Sequence, residues 1–271
     1  MKTALVVLAL AITVAVIGLV ALAGAFSHQI VAREARLTSA PPEARRNDLP
    51  EAVHAFAERG LAGAAPARAL HYRWQAAIRR EKGGGWMELG ATQVFAVAEP
   101  GFSWLAEARF GPVPAIRVVD WFETGDGALE IRFLGAVPMG REAGPAAALG
   151  EGMRYLAELP FVPDAIATNR AIDWHAVPDG LVAGMETQGG RAEVRFTLDA
   201  GGDIVGLSAK GRPARQPDGS LMPLDWRGSF GDYALIGGRR VPATAEIGYV
   251  YADGYEAYYR ASVAGLTAVG K

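Results

Sequence analysis

Three hydrophobic patterns succeed one another along the chain. From Ala4 to Phe26 the residues carry no charge, and as a helix at ~1.5 Å per residue the run reaches ~34 Å, enough to cross a hydrocarbon core of ~30 Å. Next, Val53, Phe56, Ala57 and Leu61 recur at the spacing of one buried helical stripe. Asn47 and Asp48 are placed to cap this helix, Pro50 suits its first turn, and Gly60 and Gly63 end it. From Ala69 onward the period falls to two. Leu70, Tyr72, Trp74, Ala76 and Ile78 point one way while His71, Arg73, Gln75, Ala77 and Arg79 point the other. The same alternation returns over 102–110, 129–133, 192–198, 241–249 and 255–263, so half-buried antiparallel strands dominate.

The strands are punctuated by Gly125-Asp126-Gly127, Gly189-Gly190, Gly201-Gly202-Asp203, Gly237-Gly238 and Asp253-Gly254. Glycine supplies the positive φ of tight hairpins, so sequential strands should pair as neighbours in a meander. A parallel sheet needs a crossover of a dozen or more residues between strands, and the chain does not provide them. One interruption, Pro145 to Leu159, is rich in helix formers and carries an apolar ridge of Leu149, Met153, Leu156 and Leu159. The predicted fold is mainly β with two helices (α+β). A curved antiparallel meander of about ten strands forms an incomplete barrel enclosing the helices, behind an N-terminal transmembrane helix.

This reading divides the chain into an anchor (1–26), a tether (27–47) carrying Pro41-Pro42, and a β-rich half-barrel domain (48–271). The small residues of Ala21-Leu22-Ala23 and Ala23-Gly24-Ala25 imitate a signal-peptide cleavage site, but the length of the apolar run favours an uncleaved anchor. Topology carries a conflict. Only Lys2 precedes the run, whereas Arg33, Arg36, Arg45 and Arg46 follow it, a bias that places the domain in the cytoplasm.

Composition narrows the chemistry. The absence of cysteine excludes thiol catalysis, Cys-ligated metals, disulfides and a lipid-modified N-terminal cysteine. The 27 basic and 29 acidic residues leave a net charge of −2, too even for a nucleic-acid footprint. His54, His71 and His175 fall on unrelated elements, so neither a metal nor a cofactor is expected.

Several stretches together resemble a known group. WMELGATQVFAVAEPGFSWLA, then Asp120 to Gly127, then ALGEGMRYLAELPFVPDAI are similar to an uncharacterised family of bacterial membrane-anchored proteins, a domain of unknown function. The positions that carry the likeness are Gln93, Phe102, Trp104, Gly125, Gly127, Gly150, Glu151, Arg154, Leu156, Glu158 and Pro163. Trp121 departs from it, standing where a tyrosine is expected. The resemblance implies a fold like that of periplasmic lipoprotein carriers and receptors, an incomplete barrel with helices in its mouth, and it implies no activity. Together with the anchor it points to the bacterial inner membrane as a single-pass location. The analogy with lipid binders sets the domain outside the cytoplasm, against the charge bias.

Two constellations carry candidate chemistry. Glu151, Arg154 and Glu158 share one helix face, where they suit a salt-bridge ladder, an orienting site for a ligand head group or, less readily, an acid/base pair. In a ladder, Arg154 should hold both acids ionised. His175, with Asp173 two residues before it, has the spacing of a carboxylate-oriented imidazole on a strand. Neither set amounts to a catalytic site, and none is assigned. Trp74, Trp86, Trp104 and Trp121, together with the tyrosines of 249–259, suggest an aromatic-lined concavity. The expected function is non-catalytic binding of a lipid, acyl chain or lipoprotein segment by a membrane-anchored envelope protein. The bilayer and such a ligand are its partners, and nucleic acid is not. A packed envelope scaffold or sensor, or a hydrolase using Glu151, Glu158 or His175, are the alternatives.

Overall fold

A computed structural model describes residues 2–111, 113–216 and 218–270. The order of elements is α1 (Lys2–Leu37), α2 (Glu51–Leu61), β1 (Ala69–Ile78), β2 (Met87–Ala96), β3 (Gly101–Phe110), β4 (Val113–Glu123), β5 (Asp126–Phe133) and β6 (Val137–Glu142). Then come α3 (Pro145–Ala157), a 3₁₀ turn (Leu159–Phe161), α4 (Pro163–Thr168), β7 (Asp173–Val177), β8 (Gly180–Thr187), β9 (Gly190–Leu198) and β10 (Ile204–Arg215). The chain finishes with β11 (Leu221–Gly231), β12 (Ala234–Ile236), β13 (Arg239–Val241), β14 (Thr244–Tyr251) and β15 (Gly254–Val269).

Among the described residues, thirteen strands form one antiparallel sheet in the order β6-β5-β4-β3-β2-β1-β15-β14-β11-β10-β9-β8-β7, and β12-β13 is a separate hairpin. The meander expected from the glycine turns is present. At Thr124-Gly125, for example, both residues have positive φ (53° and 78°), the geometry that two-residue hairpins favour. The strand count exceeds the expected ten because short strands such as β6, β7 and β12 carry too few residues to show alternation. The sheet edges, β6 and β7, do not pair, and the chain between them carries α3, the 3₁₀ turn and α4. This segment fills the concave side, giving the incomplete barrel with helices inside.

One large core unites α2, the helical segment and the inner face of the sheet, with Leu70, Phe95, Phe102, Leu156, Ile166 and Phe196 fully enclosed. The α4 end of the segment is clamped by a buried ion pair. Asp164, with no exposed surface, accepts from Arg239 Nε (2.8 Å) and Nη2 (2.7 Å) and from the backbone N–H of Ala67 (2.7 Å). Nearby, the Tyr72 hydroxyl donates to the carbonyl of Phe161 (2.5 Å). The six-residue α4 was not visible as a helix in the sequence because it is too short for a periodic stripe.

The stretch expected to be a tether is structured. Residues 27–37 continue α1, and Phe26, Ile30 and Leu37 are buried against the outer face of the sheet. Charged residues in this stretch suggested a loop, but an apolar stripe with good helix formers between its members propagates the helix, and Pro41-Pro42 lies beyond its end. Further on, Arg46 is buried and donates to the carbonyls of Asn169 (2.9 Å) and Ile172 (2.6 Å) behind α4. Residues 2–22 leave the domain with all their described side chains exposed, and this helix is long and apolar enough to cross a membrane.

Candidate functional site

The residues singled out on α3 meet the concave face of the sheet in a buried polar cluster. Strand alternation sets Gln93 on β2, Phe102 and Trp104 on β3, and Asp120 and Phe122 on β4 toward the helix. Arg154 donates from Nε to Glu158 Oε1 (3.0 Å) and from Nη1 to Asp120 Oδ2, and its guanidinium lies 4.8 Å from the Phe102 ring centre and 5.3 Å from that of Trp104. The Gln93 amide donates to the second oxygen of Glu158 (2.7 Å). Glu151 stands 4.0 Å from Arg154 and 3.7 Å from Arg212 of β10. Arg212 in turn donates to the Tyr249 hydroxyl (2.5 Å) and covers the Trp226 ring at 4.7 Å. The α3 stripe therefore bridges the two halves of the sheet: Arg154 binds Asp120 of β4, and Glu151 stands between Asp120 and Gly127 on one side and Arg212 of β10 on the other.

This differs from a solvated ladder in burial and in charge state. Among the described residues, Asp120, Glu151 and Glu158 are paired with Arg154 and Arg212, so full ionisation would leave one net negative charge in a place where charge is costly to desolvate. Burial, and then the neighbouring Asp120, push the Glu151 carboxyl well above the usual carboxylate range against the pull of Arg212 and Arg154. With Glu151 protonated the cluster is neutral. Counted as ions, Asp120 and Glu151 each leave one buried oxygen without a donor. A proton on Glu151 turns that carboxyl into a donor toward Asp120. The two acids of the stripe are therefore not equivalent: Glu158 takes the direct pair with Arg154, while Glu151 is the one whose carboxyl burial and Asp120 push upward.

Helix α3 reaches this depth because glycines let it. A Cβ placed on Gly127 would fall 2.7 Å from Glu151 Cβ and 3.1 Å from the Trp121 carbonyl, so Gly127 serves close approach rather than the hairpin turn its sequence suggested. Gly152 does the same from the helix side, where a Cβ would stand 3.3 Å from the Met185 methyl.

Of the tryptophans, Trp74 and Trp104 line the concave wall, Trp74 stacked on Tyr72 at 4.8 Å between ring centres. Trp86 and Trp121 lie on the opposite face. Trp86 sits between the guanidinium groups of Arg79 (4.4 Å) and Arg260 (4.5 Å), and Trp121 under Arg33 of α1 (4.1 Å). The alternation itself separates Trp121 from Asp120 and Phe122. His175 is exposed on the edge strand β7, and its neighbour Asp173 accepts from Arg191 (3.1 Å).

Sequence reading missed Asp120 and Arg212. Asp120 alternates in register with Phe122 and was legible as inward-facing. Arg212 was not, because strict alternation would turn Gly211 inward. A bulge between Ala209 and Arg212, with Gly211 at φ 62°, shifts the parity and aims Arg212 at the helix. The glycine after Lys210 is the one sequence signal of it.

Two depressions, of about 550 and 480 Å³, are lined largely by outward-facing residues such as Gln75, Glu88 and Arg260 in the first and Glu34, His71 and Arg73 in the second, and Glu151, Arg154 and Glu158 line neither.

No curated protein matches the sequence. Among solved structures the fold is similar to that of a LolA superfamily protein from Nitrosomonas europaea, at 9% identity over 81% of this chain and 94% of that one, with a TM-score of 0.42. It is also similar to a DUF1329 family protein from Desulfovibrio piger, at 12% identity over 80% and 92% of the two chains, with the same TM-score of 0.42. Residues 40–261 match a family described only as one of unknown function, and the chain therefore belongs to the DUF6544 family.

Proposed function

We propose that the protein is a non-catalytic, single-pass membrane protein of the bacterial envelope. Its domain accepts a lipid, an acyl chain or a lipoprotein segment between the sheet and the helical segment. The observation that carries this reading is the make-up of the concave wall: aromatic rings of β3, β11 and β14 stand against one buried polar cluster, the pairing of apolar surface and localised hydrogen-bond capacity that an amphiphile requires. The interior is closed by the protein's own α3, so a guest enters by displacing it. The cover lies between two sheet edges that do not pair with each other, so its displacement leaves the strand ladder intact.

The anchor is residues 2–22, and the domain lies outside the cytoplasm. The arginines that argue for the other side have structural work of their own: Arg33 and Arg36 hold Glu123, Arg45 holds Glu58, and Arg46 holds α4. A reporter fused after Lys271 that is active only outside the cytoplasm is the expected result.

One observation favours the scaffold reading instead, namely that the core is filled. Native mass spectrometry of the full chain extracted in mild detergent separates the two. Binding predicts a lipid-sized adduct that survives detergent exchange and a drop in tryptophan emission when a brominated acyl ligand is added. A bare protein mass with unchanged emission leaves the packed scaffold.

A further inference from the structure

The exposed apolar side chains of the domain are concentrated at one end of the sheet. Outside α1, and among the described residues, all the large apolar side chains with more than about a third of their surface exposed lie there, except Leu235 on the β12-β13 hairpin. The most prominent are Phe110 (83% exposed), Met139 (58%) and Leu221 (49%), with Met87, Met222, Tyr255 and Leu134 beside them. The pairing register puts them together: the ends of β1, β3, β5, β10 and β14 and the starts of β2, β4, β6, β11 and β15 all meet at this rim.

Helix α1 leaves the domain at the same rim. It runs alongside β4 in the same direction, Ser27 meeting Arg117 (2.7 Å), Ile30 packing on Val119, Arg33 covering Trp121 (4.1 Å) and Arg36 binding Glu123 (2.8 Å). Followed toward its start, the helix passes Gly135 of the β5-β6 turn, which adjoins Ala23, and there its packed part ends. The free portion, residues 2–22, has a length of ~31 Å at ~1.5 Å per residue. A span of that length reaches the surface of the bilayer at the level of this turn. Three aromatic residues with polar atoms, Trp86, Tyr251 and Tyr255, stand at or next to the same ends, the composition that membrane interfaces select.

We infer that the hairpin rim is a second membrane contact, in which Phe110, Leu134 and Met139 enter the leaflet from which α1 emerges and seat the domain upright on it. The inference rests on α1 being a transmembrane anchor. It assigns to the exposed side chains a lipid environment rather than a protein partner, because the apolar surface continues directly into the apolar face of the span.

The chain contains no cysteine, so single-cysteine variants of the full protein are directly available. Nitroxide labels at Phe110→Cys, Leu134→Cys and Met139→Cys, in nanodiscs of phosphatidylethanolamine and phosphatidylglycerol, are compared with Leu235→Cys at the far hairpin and Val14→Cys in the anchor. The expected result is that the three rim labels, like Val14→Cys, collide several-fold more with oxygen relative to a water-soluble nickel complex than Leu235→Cys does. Rim labels as water-accessible as Leu235→Cys, with Val14→Cys in lipid, overturn the rim contact and leave the anchor intact. A water-accessible Val14→Cys overturns both.

Discussion

Two buried ion clusters hold the helical segment against the rest of the molecule, and their chemistry is unlike. At α4, one carboxylate meets one arginine through two parallel bonds and a backbone donor, so Asp164 and Arg239 are matched in charge and geometry. At α3, three carboxyls share two arginines, the Glu151 contacts are 3.7 Å and 4.0 Å, and burial and Asp120 push the Glu151 carboxyl upward. A matched pair fixes position. At α3 the direct bonds of Arg154 to Asp120 and Glu158 fix the helix, while the Glu151 contacts are longer and respond to pH, so the two ends differ in how they answer to protonation.

The comparison breaks first if the α4 clamp is not what holds the segment. Asp164→Asn removes one partner of a fully enclosed pair and leaves Arg239 with a buried charge, so the full chain should lose about 3–5 kcal/mol in urea unfolding. A loss under about 1 kcal/mol would remove the distinction between the two ends. Gly127→Ala tests how closely α3 is seated. The added methyl meets Glu151 and the Trp121 carbonyl, with an expected cost of about 1–3 kcal/mol, and a silent substitution would mean that α3 already sits loosely.

Glu151→Gln sharpens the account of the proton. Because the native carboxyl is raised and the unfolded one is not, the folded state holds the extra proton. The stabilisation is complete below the ordinary carboxyl range and is lost progressively as pH rises toward the raised value, at about 1.4 kcal/mol per pH unit. The glutamine variant carries no such slope. Its stability should match the native chain below the ordinary carboxyl range and exceed it progressively as pH rises above that range. A variant that is instead uniformly less stable would mean Glu151 is ionised beside Arg212. The smallest effect is expected for Arg36→Ala, whose half-exposed pair with Glu123 contributes under about 1 kcal/mol and should weaken further in salt.

Much of this architecture was legible because it follows from local periodicity. Alternation from Ala69 onward placed Tyr72 and Trp74 on one face correctly, and glycine pairs marked the hairpins. The α3 stripe was legible as a stripe, since Glu151, Arg154 and Glu158 repeat at helical spacing. Its partners were not, because Asp120 and Arg212 come from strands at opposite sides of the sheet and nothing local brings them to one helix. Trp121 shows a different failure. Treating all tryptophans as one wall ignored the parity that turns its indole away from Phe122. The continuation of α1 through residues 27–37 was hidden by charges that look solvated in sequence and are ion-paired or stacked in the fold, as Arg33 is.

The pairing of β1 with β15 has a consequence for synthesis. Ala69 pairs with Val269, about 200 residues later, so one side of the first strand has no ladder partner until β15 has emerged. The six-strand N-terminal meander can form early from local hairpins, but it must wait with a ten-residue edge open. Long-range closure of this kind slows folding and exposes the edge to pairing with other chains. The part of α1 that packs across the outside of these strands is available from the beginning, and on a nascent chain it can steady that half of the sheet while the last strand is still to come.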